Sequence, residues 1–317
     1  MRKVTIAYLL IILLLGGCAQ NKKKVLGDFG IRATNLFFYY EDLEEAVNFY
    51  SEILGMVIVA DYETSCILRV AKDSYLVLVD AGKGMHSADE PKTVALAFLT
   101  DQLDEWYNYL KTKDIEFKYD YNPKEGSAHD GFVIIDPEGY LLEFECFNTH
   151  SENENFIPLL EENIAGSVES AFPDSPAGGL QIHSTITWLY YEDILSIQEF
   201  YTENLGFPML ADQGWAKIHK VSKTGFIGFV DGSRGMHKPT AKKAVNVGFI
   251  IDDLQGWMDY VKNKNLFELR EKELTSGPEG KYKAFVGYDP GGYYLEFDRF
   301  YPHGDSDMLI KYLEAGR

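Results

Sequence analysis

The sequence predicts an α+β fold in which four βαβββ modules form two tandem domains. Two motifs that recur in the same order support this prediction. The segment ATNLFFYYEDLEEAVNFYSEILGM, from Ala33, matches STITWLYYEDILSIQEFYTENLGF, which begins at Ser184, 151 residues further on. DPEGYLLEF, from Asp136, returns as DPGGYYLEF, from Asp289. Repetition at a nearly constant offset indicates duplicated structural units, so the copies are predicted to span 32–150 and 180–303.

Each copy contains two shorter units of one pattern. In the first copy an alternating strand precedes Asp42, which is predicted to cap a helix with apolar residues at helical spacing. The pattern restarts with a second strand, Asp101 as its cap, and a helix that contains Trp106. The strand candidates are 36–40, 56–61, 66–70, 75–80, 94–99, 116–121, 132–135 and 140–147. A strand, a helix and three strands therefore occur twice per copy and four times in the chain.

Two segments outside the copies are predicted to be a linker and a helical tail. The segment 151–179 is polar and ends in proline and glycine residues, which predicts a linker with one helical turn. The tail 304–317 predicts a helix that docks onto a domain, because one face carries four apolar residues. These are Met308, Leu309, Tyr312 and Leu313.

The N-terminus has the features of a secretion signal. Arg2 and Lys3 precede an apolar run, 6–15, which is about half of the roughly 20 residues that span a bilayer. The run ends in Leu-Gly-Gly-Cys, and this cysteine, Cys18, resembles the lipidated residue of bacterial lipoproteins. The resemblance implies a signal peptide at 1–17, a lipidated tether at 18–31, and a membrane-anchored, extracytoplasmic place in the cell envelope.

Charge, cysteine content and missing motifs exclude several classes of function. The chain has 30 basic and 49 acidic residues, a net charge of −19, which disfavours nucleic acid as a partner. Three cysteines are too few for a disulfide framework. The sequence has no phosphate-binding glycine loop and no Ser-His-Asp order, so neither nucleotide binding nor triad hydrolysis is indicated.

The four modules resemble the vicinal oxygen chelate superfamily, which includes glyoxalase I, bleomycin-resistance proteins and extradiol dioxygenases. The resemblance rests on the EDLEEAVNFYSEILGM start, its partner EDILSIQEFYTENLGF, and the two DP-x-GY-x-LEF strands. It implies two glyoxalase-like domains, in which pairs of modules curl into cups that bind small ligands. It also implies a place for a divalent metal, held by residues on first strands and by a final glutamate. The fold alone does not define the reaction.

The metal positions implied by this resemblance carry unusual residues. They fall on Asn35, Ala95 and Glu143 in the first copy, and on Ile186, Asn246 and Glu296 in the second. None is a histidine, and an amide with one carboxylate is a poor site for zinc, iron or nickel. We therefore expect no cofactor, with Glu143 and Glu296 as the remaining candidates if a divalent metal binds. If the copies shared one cup, both asparagines and both glutamates would combine.

Four further residues are candidates for a pocket. His86 and His237 recur in the tripeptide Gly-Met-His, which follows the fourth strand of each copy. Tyr39 and Tyr190 alternate with other aromatic residues on first strands. An aromatic cup with an asparagine to orient the ligand suits planar or apolar molecules. Packing in the core is the alternative explanation for each aromatic residue.

Three functions are consistent with these observations. The first is a lipid-anchored protein that binds a small ligand without a catalytic metal. The second is a metal-dependent lyase or dioxygenase with a non-standard ligand set. The third is an envelope scaffold whose cups are filled by side chains. The first is favoured, because the metal pattern is broken in both copies.

Overall fold

The computed structural model describes residues 30–164 and 177–315. The predicted signal peptide, Cys18 and nearly all of the tether lie outside the described residues, as does 165–176 of the linker. The helices are α1 (Leu43–Asn48, continued by a wider turn at Phe49–Ile53), α2 (Leu103–Leu110), α3 (Ile157–Ile164), α4 (Ile194–Glu199, continued at Phe200–Asn204), α5 (Leu254–Lys264) and α6 (Asp307–Ala315). Among these described helices, none combines the length and apolar character needed to cross a membrane.

Within the part of the chain that the structure describes, sixteen strands form two eight-stranded sheets. The first copy contributes β1 (Ile31–Tyr40), β2 (Val57–Tyr62), β3 (Ser65–Ala71), β4 (Ser74–Asp80), β5 (Val94–Leu99), β6 (Phe117–Tyr119), β7 (His129–Ile135) and β8 (Leu141–Phe147). The second contributes β9 (Ser184–Tyr191), β10 (Met209–Asp212), β11 (Ala216–Lys220), β12 (Gly225–Asp231), β13 (Val245–Ile251), β14 (Thr275–Ser276), β15 (Tyr282–Tyr288) and β16 (Tyr294–Phe300). The predicted four βαβββ modules and the α+β class are confirmed.

Each sheet combines modules from different copies. One sheet has the order β14-β15-β16-β13-β1-β4-β3-β2, so the first module pairs with the fourth. The other has the order β10-β11-β12-β9-β5-β8-β7-β6, so the second module pairs with the third. Antiparallel pairs β1·β13 and β5·β9 join the modules at the centre of each sheet. We call the two curled sheets the outer cup and the inner cup, after the modules that form them.

The doubled DP turn joins the two modules within one copy. Asp136, which begins the first turn, accepts hydrogen bonds from the hydroxyls of Tyr40 (2.6 Å) and Tyr50 (2.9 Å) of the preceding module. Asp289 accepts equivalent bonds from Tyr191 (2.6 Å) and Tyr201 (3.0 Å). The motif therefore fastens the outer cup to the inner cup twice, by buried tyrosine–aspartate contacts.

The core follows from the alternation along the strands. One large apolar cluster fills the space between the helices and the convex faces of both sheets, and it includes Phe38, Phe98, Phe229 and Phe249. Two smaller clusters lie on the concave faces, one in each cup. Residues two apart on a strand share a face, so each strand supplies both kinds of cluster.

Helix capping agrees with the sequence at one of the two predicted positions. The Asp42 side chain accepts a hydrogen bond from the Glu45 backbone N–H at 3.0 Å, as a cap should. The prediction for Asp101 was wrong, because α2 begins one residue later with Gln102 at the N-cap. The Gln102 N–H is bonded instead to the hydroxyl of Thr100, which terminates the preceding strand.

Each copy is followed by a helix that packs on the concave face of a cup. The tail helix α6 buries Leu309 completely in the outer cup, with Tyr312 and Leu313 partly buried beside it. Met308, predicted on the same face, is instead exposed. Helix α3, longer than the single turn predicted for the linker, buries Leu160 in the inner cup. Both helices close one end of a cup and leave the centre of its concave face open.

Candidate functional site

The outer cup has a polar floor at the centre of its concave face. Asn35 of β1 pairs in register with Gly248 of β13, and Gly248 pairs with Glu296 of β16. Asn246, two residues before Gly248, and Asp298, two residues after Glu296, lie on the same concave face. All four polar side chains are buried, with exposed fractions of 0–5%. Strand pairing between the two copies therefore brings together groups that are more than 200 residues apart in the sequence.

Gly248 is required for this arrangement. A β-carbon at Gly248 would come within 2.2 Å of the backbone oxygen of Asn35 and 2.8 Å of the Phe37 ring. Contacts of that length with backbone atoms are not tolerated in packed interiors. Glycine thus lets the Phe37 ring and the polar groups share the centre of the floor.

The floor is ordered by amide–carboxylate hydrogen bonds. Asn246 Nδ2 donates to Glu296 Oε2 at 2.6 Å, and Asn35 Nδ2 donates to Asp298 Oδ2 at 3.2 Å. Asn246 Oδ1 in turn lies 3.0 Å from His86 Nε2. His86 Nδ1 lies 2.7 Å from a carboxylate oxygen of Glu90 at the protein surface. A continuous chain of hydrogen bonds therefore fixes the orientation of the Asn246 amide.

Glu296 and Asp298 share their environment and their charge. Burial raises the pKa of Glu296 to about 7. Burial, and then the charge of Glu296, raise the pKa of Asp298 well above its usual range. Two buried carboxyl groups that interact directly cannot both ionise easily, so the pair resists losing its last proton.

A cavity of about 350 Å³ opens above the two carboxyl groups of this floor, Glu296 and Asp298. Arg270 and Lys83 also line it, and both are exposed. Five aromatic residues form part of its walls, together with aliphatic and hydroxyl side chains: Phe37, Tyr39, Tyr62, Tyr282 and Phe300. A concave site with apolar walls and a few oriented polar groups is the usual form of a small-molecule pocket.

The inner cup has a different floor. Ile186, Ala97 and Glu143 occupy the positions equivalent to the row of Asn35, Gly248 and Glu296. A carboxylate pair is again present, and burial raises the pKa of Glu143 to about 7 and that of Glu145 further. Trp188 Nε1 donates to Glu145 at 3.3 Å. The cavity here is about 300 Å³, and its floor lacks both asparagines.

The sequence-predicted residues separate between the two cups. The outer cup receives Asn35, Asn246, Glu296, His86 and Tyr39. The inner cup receives Glu143 and Tyr190, which line its cavity, and His237, whose ring packs against Tyr190 with centroids 5.0 Å apart. Of the four residues that a shared cup would combine, Asn35, Asn246 and Glu296 do lie together, whereas Glu143 lies in the inner cup.

Some site residues were not identified from the sequence. Asp298 and Glu145 each lie two residues after the glutamate that was singled out. The two-residue period of a strand would have placed them on the same face, so the signal was present. Arg270 comes from the irregular segment between α5 and β14, where no periodicity indicates direction.

The donor set does not fit a catalytic transition metal. Within 30–164 and 177–315, no three His, Cys, Asp or Glu side chains converge as metal ligands would. In the outer cup the Asn246 amide directs an N–H at Glu296, and its oxygen faces His86. Imidazole and thiolate, which zinc, iron and nickel favour, are missing from the positions that the family resemblance implies.

Comparisons with known proteins find a family resemblance in the first copy. Residues 32–144 match the model of the Glyoxalase/Bleomycin resistance protein/Dioxygenase superfamily. This match supports the resemblance to the vicinal oxygen chelate superfamily that the sequence indicated. No curated protein sequence matches the chain.

Solved structures extend the likeness to both copies. Glyoxalase I from Zea mays superposes with a TM-score of 0.60 at 14% identity, covering 92% of this chain and 98% of that one. A candidate dioxygenase from Bacillus subtilis subsp. subtilis str. 168 gives 0.57 at 12% identity, covering 91% and 96%. At such identities the likeness concerns the fold, and it confirms the prediction of tandem glyoxalase-like domains.

Proposed function

We propose that this chain is a lipid-anchored protein of the cell envelope that binds a small molecule in its outer cup without a catalytic metal. The observation that carries the proposal is the difference between the cups. The outer floor keeps two oriented asparagines, whereas Ile186 and Ala95 occupy the equivalent positions in the inner cup.

Burial of this many polar groups has a free-energy cost that packing does not require. Transfer of a polar group from water into the interior costs roughly 1–3 kcal/mol unless hydrogen bonds compensate for it. The inner cup shows that the same strand positions accept apolar residues in this fold. The polar floor is thus better explained by binding than by stability.

The membrane anchor is supported by the N-terminal sequence. Replacement of Cys18 by alanine removes the sulfur to which a lipid would attach. We expect the Cys18→Ala chain, expressed at full length in a bacterium, to incorporate no radiolabelled palmitate. Equal palmitate labelling of both proteins would rule out lipidation at this residue.

The ligand site is testable because each cup contains an equivalent methionine at the edge of its cavity. Met85 lines the outer cavity, and Met236 lines the inner one. The full chain, labelled at its methionine methyl groups and purified in detergent, is titrated with a library of small molecules. Ligands of the outer cup are expected to shift the NMR signal of Met85 and to leave that of Met236 in place.

A matched pair of variants identifies the cavity. Val79 lines the outer cavity and Val230 the inner one, at equivalent positions. Val79→Trp should abolish the Met85 shifts, because the indole fills the cavity, while Val230→Trp should preserve them. If no library member moves Met85, or if Val230→Trp abolishes the shifts and Val79→Trp does not, the outer cup is not the binding site.

A further inference from the structure

Each side-chain amide in the floor of the outer cup directs an N–H at a carboxyl group. Asn35 Nδ2 donates to Asp298, and Asn246 Nδ2 donates to Glu296. Glu296 and Asp298 are also hydrogen-bonded to each other through their side chains. The floor therefore presents mainly acceptor oxygens to the cavity.

Asn35 provides an acceptor that the protein leaves unused. Its side chain is fully buried, and its donor bond to Asp298 fixes which end of the amide is oxygen. Within the described residues, Asn35 Oδ1 accepts no hydrogen bond. Asn35 alternates along β1 with Phe37 and Tyr39, which both line the cavity, so its side chain lies on the concave face. A buried acceptor without a donor costs free energy, which a ligand N–H would recover.

The walls favour the same kind of ligand. Faces of tyrosine and phenylalanine rings attract a nearby cation by about 0.5–2 kcal/mol, and more strongly where water is excluded. The carboxyl pair adds a negative charge at the floor, where a low dielectric strengthens its attraction for a cation. The acceptor oxygens, the negative charge and the aromatic side chains thus all favour a cationic ligand that donates hydrogen bonds.

From these contacts we propose that the outer cup binds a small organic amine, with its ammonium group on Asn35, Glu296 and Asp298 and a flat apolar body between the aromatic walls. This inference rests on the proposed function, because it names the ligand class of the same cavity. The chemistry required is an ammonium N–H donor carried by an aromatic or similarly planar group.

The mouth of the cavity limits the ligand to one positive charge. Arg270 and Lys83 are both exposed there, although Lys83 also lies 3.6 Å from Asp80. A second cation at the outer end of the ligand would meet Arg270, so polyamines are disfavoured. A neutral outer end, or one with a carboxylate, is compatible with the guanidinium.

Binding of an ammonium is expected to release a proton from Glu296. A cation beside Glu296 and Asp298 stabilises their ionised forms, so affinity should rise with pH between about 6 and 8, through the pKa of Glu296. The other charged and titratable groups that face this cavity are Arg270, Lys83, Tyr39, Tyr62 and Tyr282. Burial raises the pKa of the three tyrosine hydroxyls, so they stay neutral in that range. His86 is linked to Glu296 through Asn246, and burial lowers the pKa of its imidazole.

The test compares amines with molecules of the same shape. Tyramine, tryptamine and phenethylamine are titrated into the full chain in detergent, with the Met85 methyl signal as the readout. The neutral counterpart of tyramine is 4-ethylphenol, and its acidic counterpart is 3-(4-hydroxyphenyl)propanoate. At least one amine should bind about tenfold more tightly than its neutral and acidic counterparts.

Two double variants locate the charge. Glu296→Gln with Asp298→Asn keeps the shape of the outer floor and removes its charge, and it should weaken the amine about tenfold or more. Glu143→Gln with Glu145→Gln makes the same change in the inner cup and should leave amine affinity unchanged. Glu296→Gln alone should flatten the pH dependence between about 6 and 8, because the carboxyl group that titrates in this range is then absent.

The outcomes separate the two proposals. If all three amines fail to move Met85, or if the neutral counterparts bind as tightly, the amine class is wrong. In either case library ligands that move Met85 would still support a binding cup of another specificity. An amine that moves only Met236, and that is lost in the inner-cup double variant, would overturn the amine inference and place the site in the inner cup.

Discussion

Burial of the Glu296 and Asp298 carboxyl groups next to each other costs folding free energy. They lie on one face of β16, both are buried, and in the described structure their hydrogen-bond donors are the two asparagine amides and each other. Each carboxyl group raises the other's cost of ionisation, so the folded protein holds a proton that the unfolded chain would release at neutral pH.

The first prediction concerns this proton. A raised pKa contributes stability that is present below the unfolded value, near 4.5, and is lost as pH rises through about 7. The double variant Glu296→Gln with Asp298→Asn removes this loss. Relative to the wild type, the free energy of unfolding of the variant should therefore rise by roughly 3 kcal/mol between pH 4 and pH 8, as measured by chemical denaturation at each pH.

Subtraction of the wild-type curve isolates this effect from that of the histidines. Burial lowers the pKa of His183, His219 and His237 to about 4, so these groups destabilise the fold as pH falls below the unfolded value. They are present in both proteins and cancel in the difference. A difference that is independent of pH would show that the carboxyl pair is ionised freely in the folded state.

At the scale of elements, the terminal helix of each copy supports the end of a cup. Helix α6 reaches the outer cup through Leu309, which is fully buried, while its neighbour Met308 is 46% exposed. Beside them Tyr312 stacks under the Arg69 guanidinium of β3, 4.0 Å from the ring centroid. The helix is therefore part of the outer cup rather than an appendage.

The second prediction follows from this difference in burial. Leu309→Ala should lower the free energy of unfolding by about 2–4 kcal/mol, because it leaves a cavity against the concave face. Met308→Ala, one position away on the same helix, should change it by less than about 0.5 kcal/mol. Chemical denaturation measures both, and equal effects would mean that α6 is not docked as described.

The helices and strands were predicted from the sequence far better than the pairing of the strands within the sheets. Alternation in β1 and helical spacing after Asp42 follow from local geometry, so they are visible in one segment. The choice of β13 over β5 as partner for β1 depends on which edges meet in the folded chain, and both strands carry similar apolar residues. The unused oxygen of Asn35 was also beyond sequence reasoning, because it is a property of three strands together.

At the scale of the whole molecule, the two copies are interdependent. Each contributes four strands to each sheet, and the antiparallel pairs β1·β13 and β5·β9 are the seams. The tyrosine–aspartate contacts at Asp136 and Asp289 then tie the sheets to each other within a copy. Strand pairing therefore joins the two copies within each sheet, and side-chain hydrogen bonds join the two sheets within each copy.

The third prediction is that neither copy folds alone. Expressed separately, residues 30–164 and 177–315 each expose the seam edges of β1 and β5 or of β9 and β13, which would otherwise be central strands. Each fragment should lack dispersed amide NMR signals, and co-expression should restore the spectrum of the full chain. A well-dispersed spectrum from one fragment would show that a copy is an independent domain.

The position of β1 also determines how the protein would bear a mechanical load. The proposed lipid attachment at Cys18 precedes this strand, so any pull between the membrane and the protein enters the fold at Ile31. β1 is hydrogen-bonded along its length to β13 on one side and β4 on the other. Force along the strand would have to shear both rows of bonds together, whereas an edge strand would peel away bond by bond. The outer cup should therefore resist unfolding under a load applied through the proposed lipid anchor.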